Sequence, residues 1–206
     1  MGFVLAQYGQ PLQFSGIAVM LIKNEIDEQE AFSIQAMKYN RRSPYRNVSN
    51  DFNYFKFILE VLKQRERISY EQFIVSTFSN DGDVSEFLKT IDENTFGEPS
   101  EVEAFLRAEY GTNLKAQTIL RDYPDVVLRV LIITGFVSIQ FRGKVFIYRN
   151  FANDEYINDL LSVNVELTNE EKENTSVHFA KLETYNNQLL EIVYKHREEV
   201  VEQDGF

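Results

Sequence analysis

The chain has 206 residues, of which 44% are hydrophobic, and a formal net charge of −11. This length and composition suit a globular protein of one domain or two small ones. Because it has no cysteine and only 2 histidines, the sequence excludes disulfides, thiolate nucleophiles, cysteine-ligated metal sites and histidine-rich metal sites. No run of eighteen apolar residues and no signal-peptide pattern is present, so we expect a cytoplasmic protein without membrane contact.

The negative charge is concentrated near the C-terminus. Residues 151–206 carry 13 acidic and 4 basic residues, whereas residues 1–150 carry 19 acidic and 17 basic residues. Within the first part, residues 37–67 hold 8 basic residues against 3 acids. A local excess of positive charge of this kind allows an anionic partner such as nucleic acid on one face of the molecule.

Residues 10–24, QPLQFSGIAVMLIKN, predict a strand followed by a short apolar helix. The same order returns at residues 145–161, VFIYRNFANDEYINDLL. Residues 1–30 are therefore interpreted as the end of a preceding winged-helix module, which would make the chain a fragment of a longer protein. An ordinary N-terminal strand and helix would show the same pattern.

Residues 31–98 are assigned to a first helical, winged-helix-like module. Apolar residues at helical spacing predict a helix over 52–64, and the charged residues RER interrupt the pattern. Ser69 and Gln72 form a capping-box pattern that begins a helix over about 70–79, and another short helix is expected at 84–92.

Residues 99–162 are assigned to a second winged-helix module. A capping box at Ser100 and Glu103 begins a helix that ends at Gly111, residues 114–122 are helical in pattern, and Pro124 begins a further helix. Gly135 then has the place of a left-handed C-terminal cap. Two β-branched and aromatic runs meet at Arg142 and Gly143, which predicts a hairpin wing over 136–149 and a helix over 153–161.

Residues 163–206 are predicted to form a long acidic helix or linker. Thr168 and Glu171 form another capping box, and apolar residues recur at spacings of three and four over 182–196, so one helix of about thirty residues is expected. This apolar stripe would pack on its own domain or on a missing nuclease domain. The predicted fold class is mainly α with a small β-hairpin, as winged-helix modules followed by a long C-terminal helix.

Candidate DNA contacts are the basic residues of the loop 38–47 and of the hairpin. Arginine grips phosphate or guanine with two hydrogen bonds, and Ser43-Pro44 indicates a loop. The candidates are Lys38, Arg41, Arg42, Arg46, Arg142, Lys144 and Arg149. In the alternative interpretation the loop is a solvated connector whose arginines pair with Glu28, Glu30 or Asp51, and the hairpin tip is polar only because it is exposed. An acidic arm that shields the basic face is a further hypothesis for residues 166–173.

No catalytic residue, metal site or cofactor is predicted in this chain. Pro124-Asp125 and Glu170-Glu171-Lys172 match the letters of the PD-(D/E)xK nuclease motif, whose acids bind a divalent cation. However, Asp125 opens a helix instead of ending a strand, and Glu170 lies in the first turn of a helix, where acids favour the helix dipole. A nuclease that uses these residues stays a third hypothesis, which requires them to converge.

Three stretches resemble the DNA-recognition part of type IIS restriction endonucleases of the AlwI kind. They are FSGIAVMLIKNEIDEQEAFSIQAMKYNRRSPYR, NYFKFILEVLKQRERISYEQFIVSTFS and VLIITGFVSIQFRGKVFIYRN, within residues 10–162. The resemblance implies stacked winged-helix modules that bind a short asymmetric site in double-stranded DNA, with Lys38, Arg41, Arg42, Arg46, Arg142 and Lys144 as contacts.

In that family a separate PD-(D/E)xK domain cuts the DNA, and no part of this sequence matches it. The resemblance therefore implies a non-catalytic recognition fragment, with Mg²⁺ expected only for the missing nuclease domain. The alternative, from another functional class, is a winged-helix module for protein interaction or assembly with no nucleic-acid role.

Overall fold

The computed structural model describes residues 2–46 and 48–204, and the side chains up to residue 198. Asn47 of the predicted basic loop and residues 205–206 of the predicted C-terminal segment lie outside the described residues. The fold is mainly helical with two small antiparallel sheets, which confirms the predicted mainly α class.

In chain order the elements are β1 (Val4–Leu5), β2 (Gln13–Phe14), α1 (Gly16–Ile22), α2 (Glu28–Lys38), α3 (Tyr54–Arg65), β3 (Arg67–Ser69), α4 (Tyr70–Ser76), α5 (Val84–Glu93), α6 (Pro99–Tyr110), a π-helical turn (Thr118–Asp122), α7 (Tyr123–Ile133), β4 (Val137–Phe141), β5 (Val145–Arg149), a 3₁₀ turn (Phe151–Asn153), α8 (Asp154–Ser162), α9 (Asn169–Glu173), α10 (Thr175–Glu183) and α11 (Asn186–Asp204).

The chain divides into two compact units. The middle unit is Tyr54–Phe151, and the terminal unit combines Met1–Asn53 with Ala152–Phe206. These limits differ from the four predicted segments, because residues before and after the middle unit pack together. Whether those segments act as separate functional modules stays a prediction.

The middle unit contains a three-stranded antiparallel sheet in the order β3-β5-β4. Ile147 of β5 lies opposite both Ile68 of β3 and Ile139 of β4. Ile68 and Ile147 are buried, together with the apolar face of α3 and Leu131 of α7. The predicted hairpin is present and directly follows α7, but β3 was not predicted, because its three residues overlap the charged interruption.

In the terminal unit, the predicted helix of about thirty residues is instead three helices, α9, α10 and α11. Asn174 separates the first two: its backbone is extended, and its side chain accepts hydrogen bonds from the N–H groups of Ser176 and Val177. A turn at residues 184–185 separates α10 from α11. The last helix, of 19 residues, packs on α2 and α8 and buries Leu189. Contact of the 182–196 stripe with a nuclease domain stays a prediction.

Local signals at the helix ends are mostly confirmed. The capping boxes that begin at Ser69 and Thr168 are present, and Gly111 and Gly135 have the left-handed backbone of a C-terminal cap. The box predicted at Ser100 is wrong. Because Pro99 takes the first helical position, the cap lies earlier, and the Glu101 carboxylate accepts hydrogen bonds from the N–H groups of residues 97 and 98.

Candidate nucleic-acid interface

One face of the sheet in the middle unit carries exposed polar side chains together with Tyr148, which is only 8% exposed. Successive strand residues point to opposite faces, and since Ile68 and Ile147 are buried, their neighbours along the strands occupy the other face. We call this the wing face; it comprises Arg67, Ser138, Gln140, Phe146 and Tyr148, with Arg142 and Lys144 at the hairpin tip.

Two arginines lie over aromatic rings on the wing face. The guanidinium of Arg67 is 4.8 Å from the centre of the Phe146 ring and 5.9 Å from that of Tyr148, and it donates a hydrogen bond of 2.9 Å to the Tyr148 hydroxyl. The guanidinium of Arg142 is 5.8 Å from the same Tyr148 ring. Aromatic support holds a guanidinium in place while its remaining N–H groups stay available to an anion.

Arg67 was not among the predicted contacts. It was counted in the basic segment 37–67, but its position on the sheet depends on the pairing of Arg67 with Tyr148, 81 residues further along the chain. A strand of three residues has too little alternation to be recognised by pattern alone.

The three predicted hairpin contacts have different surroundings. Arg142 and Lys144 are exposed on either side of Gly143, and the Lys144 ammonium donates to the carbonyl of Gly97 at 3.2 Å. Arg149 is only 1% exposed, and its guanidinium donates to the carbonyl of Leu59 at 3.3 Å. The predicted DNA contact of Arg149 stays a prediction, and its burial disfavours it.

The basic loop of the terminal unit lies against the acidic helix α9. Arg42 forms an ion pair of 2.7 Å with Glu173, and Lys172 forms one of 2.6 Å with Asp51. Partial burial alone would raise the pKa of the Asp51 carboxyl, but hydrogen bonds from Lys172 and Asn40 lower it on balance. α9 therefore contacts the basic loop, and the hypothesis that it shields a DNA-binding face stays a prediction.

Two of the carboxylates proposed as partners in the connector interpretation form ion pairs with cations outside the loop. Glu30 pairs with Arg197, and Asp51 pairs with Lys172. Arg42 of the loop pairs with a carboxylate of α9, that of Glu173.

Two of the four predicted loop cations are buried. Lys38 is 1% exposed and donates a hydrogen bond of 2.5 Å to Asn186, while Arg41 is 5% exposed with its guanidinium over the ring of Phe52. Arg42 and Arg46 are only partly buried. A role in shaping the loop suits the buried pair, whereas Arg42 and Arg46 keep part of their surface exposed, and their contact with DNA stays a prediction.

Two of the residues that match the letters of the nuclease motif, Asp125 and Lys172, are engaged in ion pairs. Asp125 lies in the first turn of α7 and pairs with Arg129 at 2.8 Å, and Lys172 pairs with Asp51. Within the described part of the chain, no group of three or more acidic or histidine side chains is arranged to hold a metal ion. None of the helices described is long and apolar enough to cross a membrane.

Comparison with known proteins identifies a similar fold and a family. A crystal structure of pyrene- and phenanthrene-modified DNA in complex with the BpuJ1 endonuclease binding domain has a similar fold, with a TM-score of 0.53, 14% identity, and coverage of 89% of this chain and 72% of that chain. No curated protein matches the sequence. The family model for the AlwI restriction endonuclease matches residues 1–205. Because that match spans nearly the whole sequence, the chain belongs to the AlwI restriction endonuclease family.

Proposed function

We propose that this chain provides sequence-specific binding of double-stranded DNA for a restriction endonuclease. Membership of the AlwI family and the fold shared with the BpuJ1 binding domain both support DNA recognition. The observation that carries the proposal at the level of residues is the wing face, where the guanidinium groups of Arg67 and Arg142 lie over the ring of Tyr148. Such groups grip phosphate oxygens through two hydrogen bonds.

The middle unit is interpreted as a winged helix in which α7 is the recognition helix. This helix directly precedes the hairpin, and its exposed side chains include Val126, Arg129 and Ile132. An arginine can pair with the major-groove edge of guanine, and apolar side chains contact the thymine methyl group. Wings lie along the backbone or the minor groove, which suits Arg142 and Lys144 at the hairpin tip.

The terminal unit contributes a second proposed contact through Arg42 and Arg46. Since Arg42 is held by Glu173, a phosphate that binds there must replace the carboxylate of α9. Both groups present oxygen acceptors to the same guanidinium, so this exchange requires little rearrangement of the arginine.

Phosphodiester hydrolysis, and the Mg²⁺ expected for it, is assigned in this proposal to a nuclease domain. The ion pairs of Asp125 with Arg129 and of Lys172 with Asp51 support that assignment, since each side chain is already engaged by a charged partner in its own unit. A cytoplasmic location, where cellular DNA is accessible, is part of the same proposal.

The test is binding to a pool of random duplexes, measured by fluorescence anisotropy across a salt series. We expect the logarithm of the affinity to fall linearly with the logarithm of the salt concentration, with a slope of about 0.9 for each phosphate contact. Repeated selection from the pool should then enrich one short sequence. No binding to any duplex at low salt would refute the proposal.

A second candidate function is protein assembly, which the exposed apolar residues of the hairpin favour. Phe141 is 76% exposed and Ile139 is 43% exposed, although both point to the same side of the sheet as the buried Ile147. Sedimentation of the isolated chain separates the two functions, because an assembly surface would produce a concentration-dependent oligomer that Phe141→Ser abolishes.

A further inference from the structure

The terminal unit contains a cavity of about 320 Å³ whose lining includes Arg46, one of the proposed DNA contacts. It lies among the end of α2, the basic loop and α10. Its size is at the lower end of the range for small-molecule sites. Its lining combines the apolar side chains of Val4, Phe179 and Leu182 with a larger number of polar ones.

Gln35 provides the first polar group of this lining. Its side chain is 1% exposed, and its Oε1 atom has no hydrogen-bond partner, while its amide nitrogen donates to the carbonyl of Gly2 at 3.4 Å. A buried acceptor without a donor is costly, and each such group in a folded protein calls for an explanation, such as local strain, a bound water or ion, or a functional role. The cavity therefore favours a ligand that brings an N–H or O–H group to Gln35.

Lys38 provides a donor next to this acceptor. The two residues are three positions apart on α2, so their side chains share one helix face. The Lys38 ammonium has three N–H groups and donates one hydrogen bond to Asn186; Glu183 lies 3.9 Å away. Burial lowers the pKa of Lys38 to about 8, which leaves the ammonium predominantly charged at neutral pH.

His178 and Tyr45 form aromatic walls of the same cavity, with their ring centres 6.5 Å apart. The Nδ1 atom of His178 is 2.7 Å from the carbonyl oxygen of Glu171, so Nδ1 carries the proton and donates. Burial lowers the pKa of His178, which favours the neutral ring with an acceptor at Nε2. Their rings contact each other edge to face, with planes at 78°, and together give this part of the cavity apolar surface.

We propose that this cavity binds a keto nucleobase, guanine or thymine, whose ring N–H donates to Gln35 while the adjacent carbonyl accepts from Lys38. Adenine and cytosine lack this combination, because their Watson–Crick edges place an amino group where guanine and thymine have the carbonyl. The base is supplied either by a nucleotide turned out of a bound duplex or by a free nucleotide. Only the first source rests on the proposed DNA-binding function.

The first experiment is calorimetric titration of the chain with dGMP, dTMP, dAMP and dCMP in the absence of duplex. We expect dGMP and dTMP to bind at least about tenfold more tightly than the other two. Adenine and cytosine would each lose the hydrogen bond to Gln35, because their ring nitrogen is an acceptor and would face the Gln35 acceptor. Equal binding of all four nucleotides overturns the assignment of a keto base.

Gln35→Met is the matched test of the acceptor, and Gln29→Met, at an exposed position of the same helix, is its control. We expect Gln35→Met to weaken dGMP and dTMP binding by about tenfold while the Tm stays the same or rises, because the substitution removes an unsatisfied buried acceptor. A lower Tm with unchanged nucleotide affinity would assign Gln35 a purely structural role and overturn the proposal.

The second experiment distinguishes a base supplied by duplex DNA. A duplex pool that contains 4-thiothymine or 6-thioguanine is irradiated with the chain, and the cross-linked peptides are mapped. Cross-links at Phe179 or Leu182 that Gln35→Met abolishes support an extruded base. Duplex binding without such cross-links, together with no nucleotide binding, overturns the cavity proposal but leaves the proposed DNA function intact. If duplexes do not bind at all, the nucleotide titration alone decides whether the cavity binds a keto nucleobase.

Discussion

The guanidinium of Arg67 lies 4.8 Å from the centre of the Phe146 ring, although the two residues are far apart in the sequence. The antiparallel pairing of β3 with β5 brings them together, with Ser69 of β3 opposite Phe146. Because of this pairing, Arg67, the last residue of the charged RER interruption, becomes part of an exposed cationic surface. It is also the part of the candidate interface that mutation can test most directly.

Replacement of Arg67 by alanine should weaken duplex binding and reduce the salt slope by about one phosphate contact. Arg67→Lys should restore the charge but not the full affinity, because an ammonium neither stacks on a ring nor forms paired hydrogen bonds as a guanidinium does. Anisotropy titrations at several salt concentrations measure both effects. Lys89→Ala, an exposed cation on α5 of the same unit, is the control. An equal loss for Lys89→Ala would show that only the overall charge matters.

Neutralisation of Glu173 should strengthen DNA binding. Glu173→Gln removes the carboxylate that pairs with Arg42, so a phosphate no longer competes with it. Since the pair is partly exposed, we expect a gain of only about two- to fivefold at low salt. Glu170→Gln, in the same helix, changes the net charge equally and serves as the control. Equal gains for both variants, or a gain that persists in an Arg42→Ala background, would contradict the competition between Glu173 and DNA.

Lys38 should make stability depend on pH in the alkaline range. Burial lowers its pKa in the folded protein from 10.5 to about 8, so the unfolded chain binds more protons between these two values. The free energy of unfolding should therefore rise with pH between about 8 and 10.5, by about 3 kcal/mol in total from this group. Lys38→Met should remove that rise, whereas Lys23→Met, at an exposed position, should keep it. Denaturant titrations at pH 7, 8.5 and 10 compare the three proteins.

Arg149 and Arg142 should show opposite effects when each is replaced by alanine. Arg149→Ala removes a buried side chain that donates to the Leu59 carbonyl, so we expect a loss of about 2 to 5 kcal/mol in stability. The affinity of the folded protein for DNA should be unchanged. Arg142→Ala, at the exposed hairpin tip, should weaken DNA binding and leave the Tm nearly constant. A fall in DNA affinity for Arg149→Ala at an unchanged Tm would show that this arginine contacts DNA after all.

Much of the secondary structure could be predicted because its signals are local. The capping boxes at Ser69 and Thr168 and the left-handed glycine at 135 each depend on residues within one helical turn. The hairpin also depends on neighbours, since two β-prone runs meet at Gly143. Where local signals conflicted, as at Pro99 and Asn174, the predicted helix ends were wrong.

The sequence by itself determined a mainly helical chain with one hairpin, a family resemblance and a list of cations. Only the tertiary structure decided which cations meet solvent, because burial depends on packing between distant segments. Lys38 is enclosed by α10 and α11, Arg149 shares a strand face with the buried Ile147, and Arg67 is exposed beside Tyr148 through the pairing of two distant strands. Alternation along β5 was the one local sign that Arg149 would point inward.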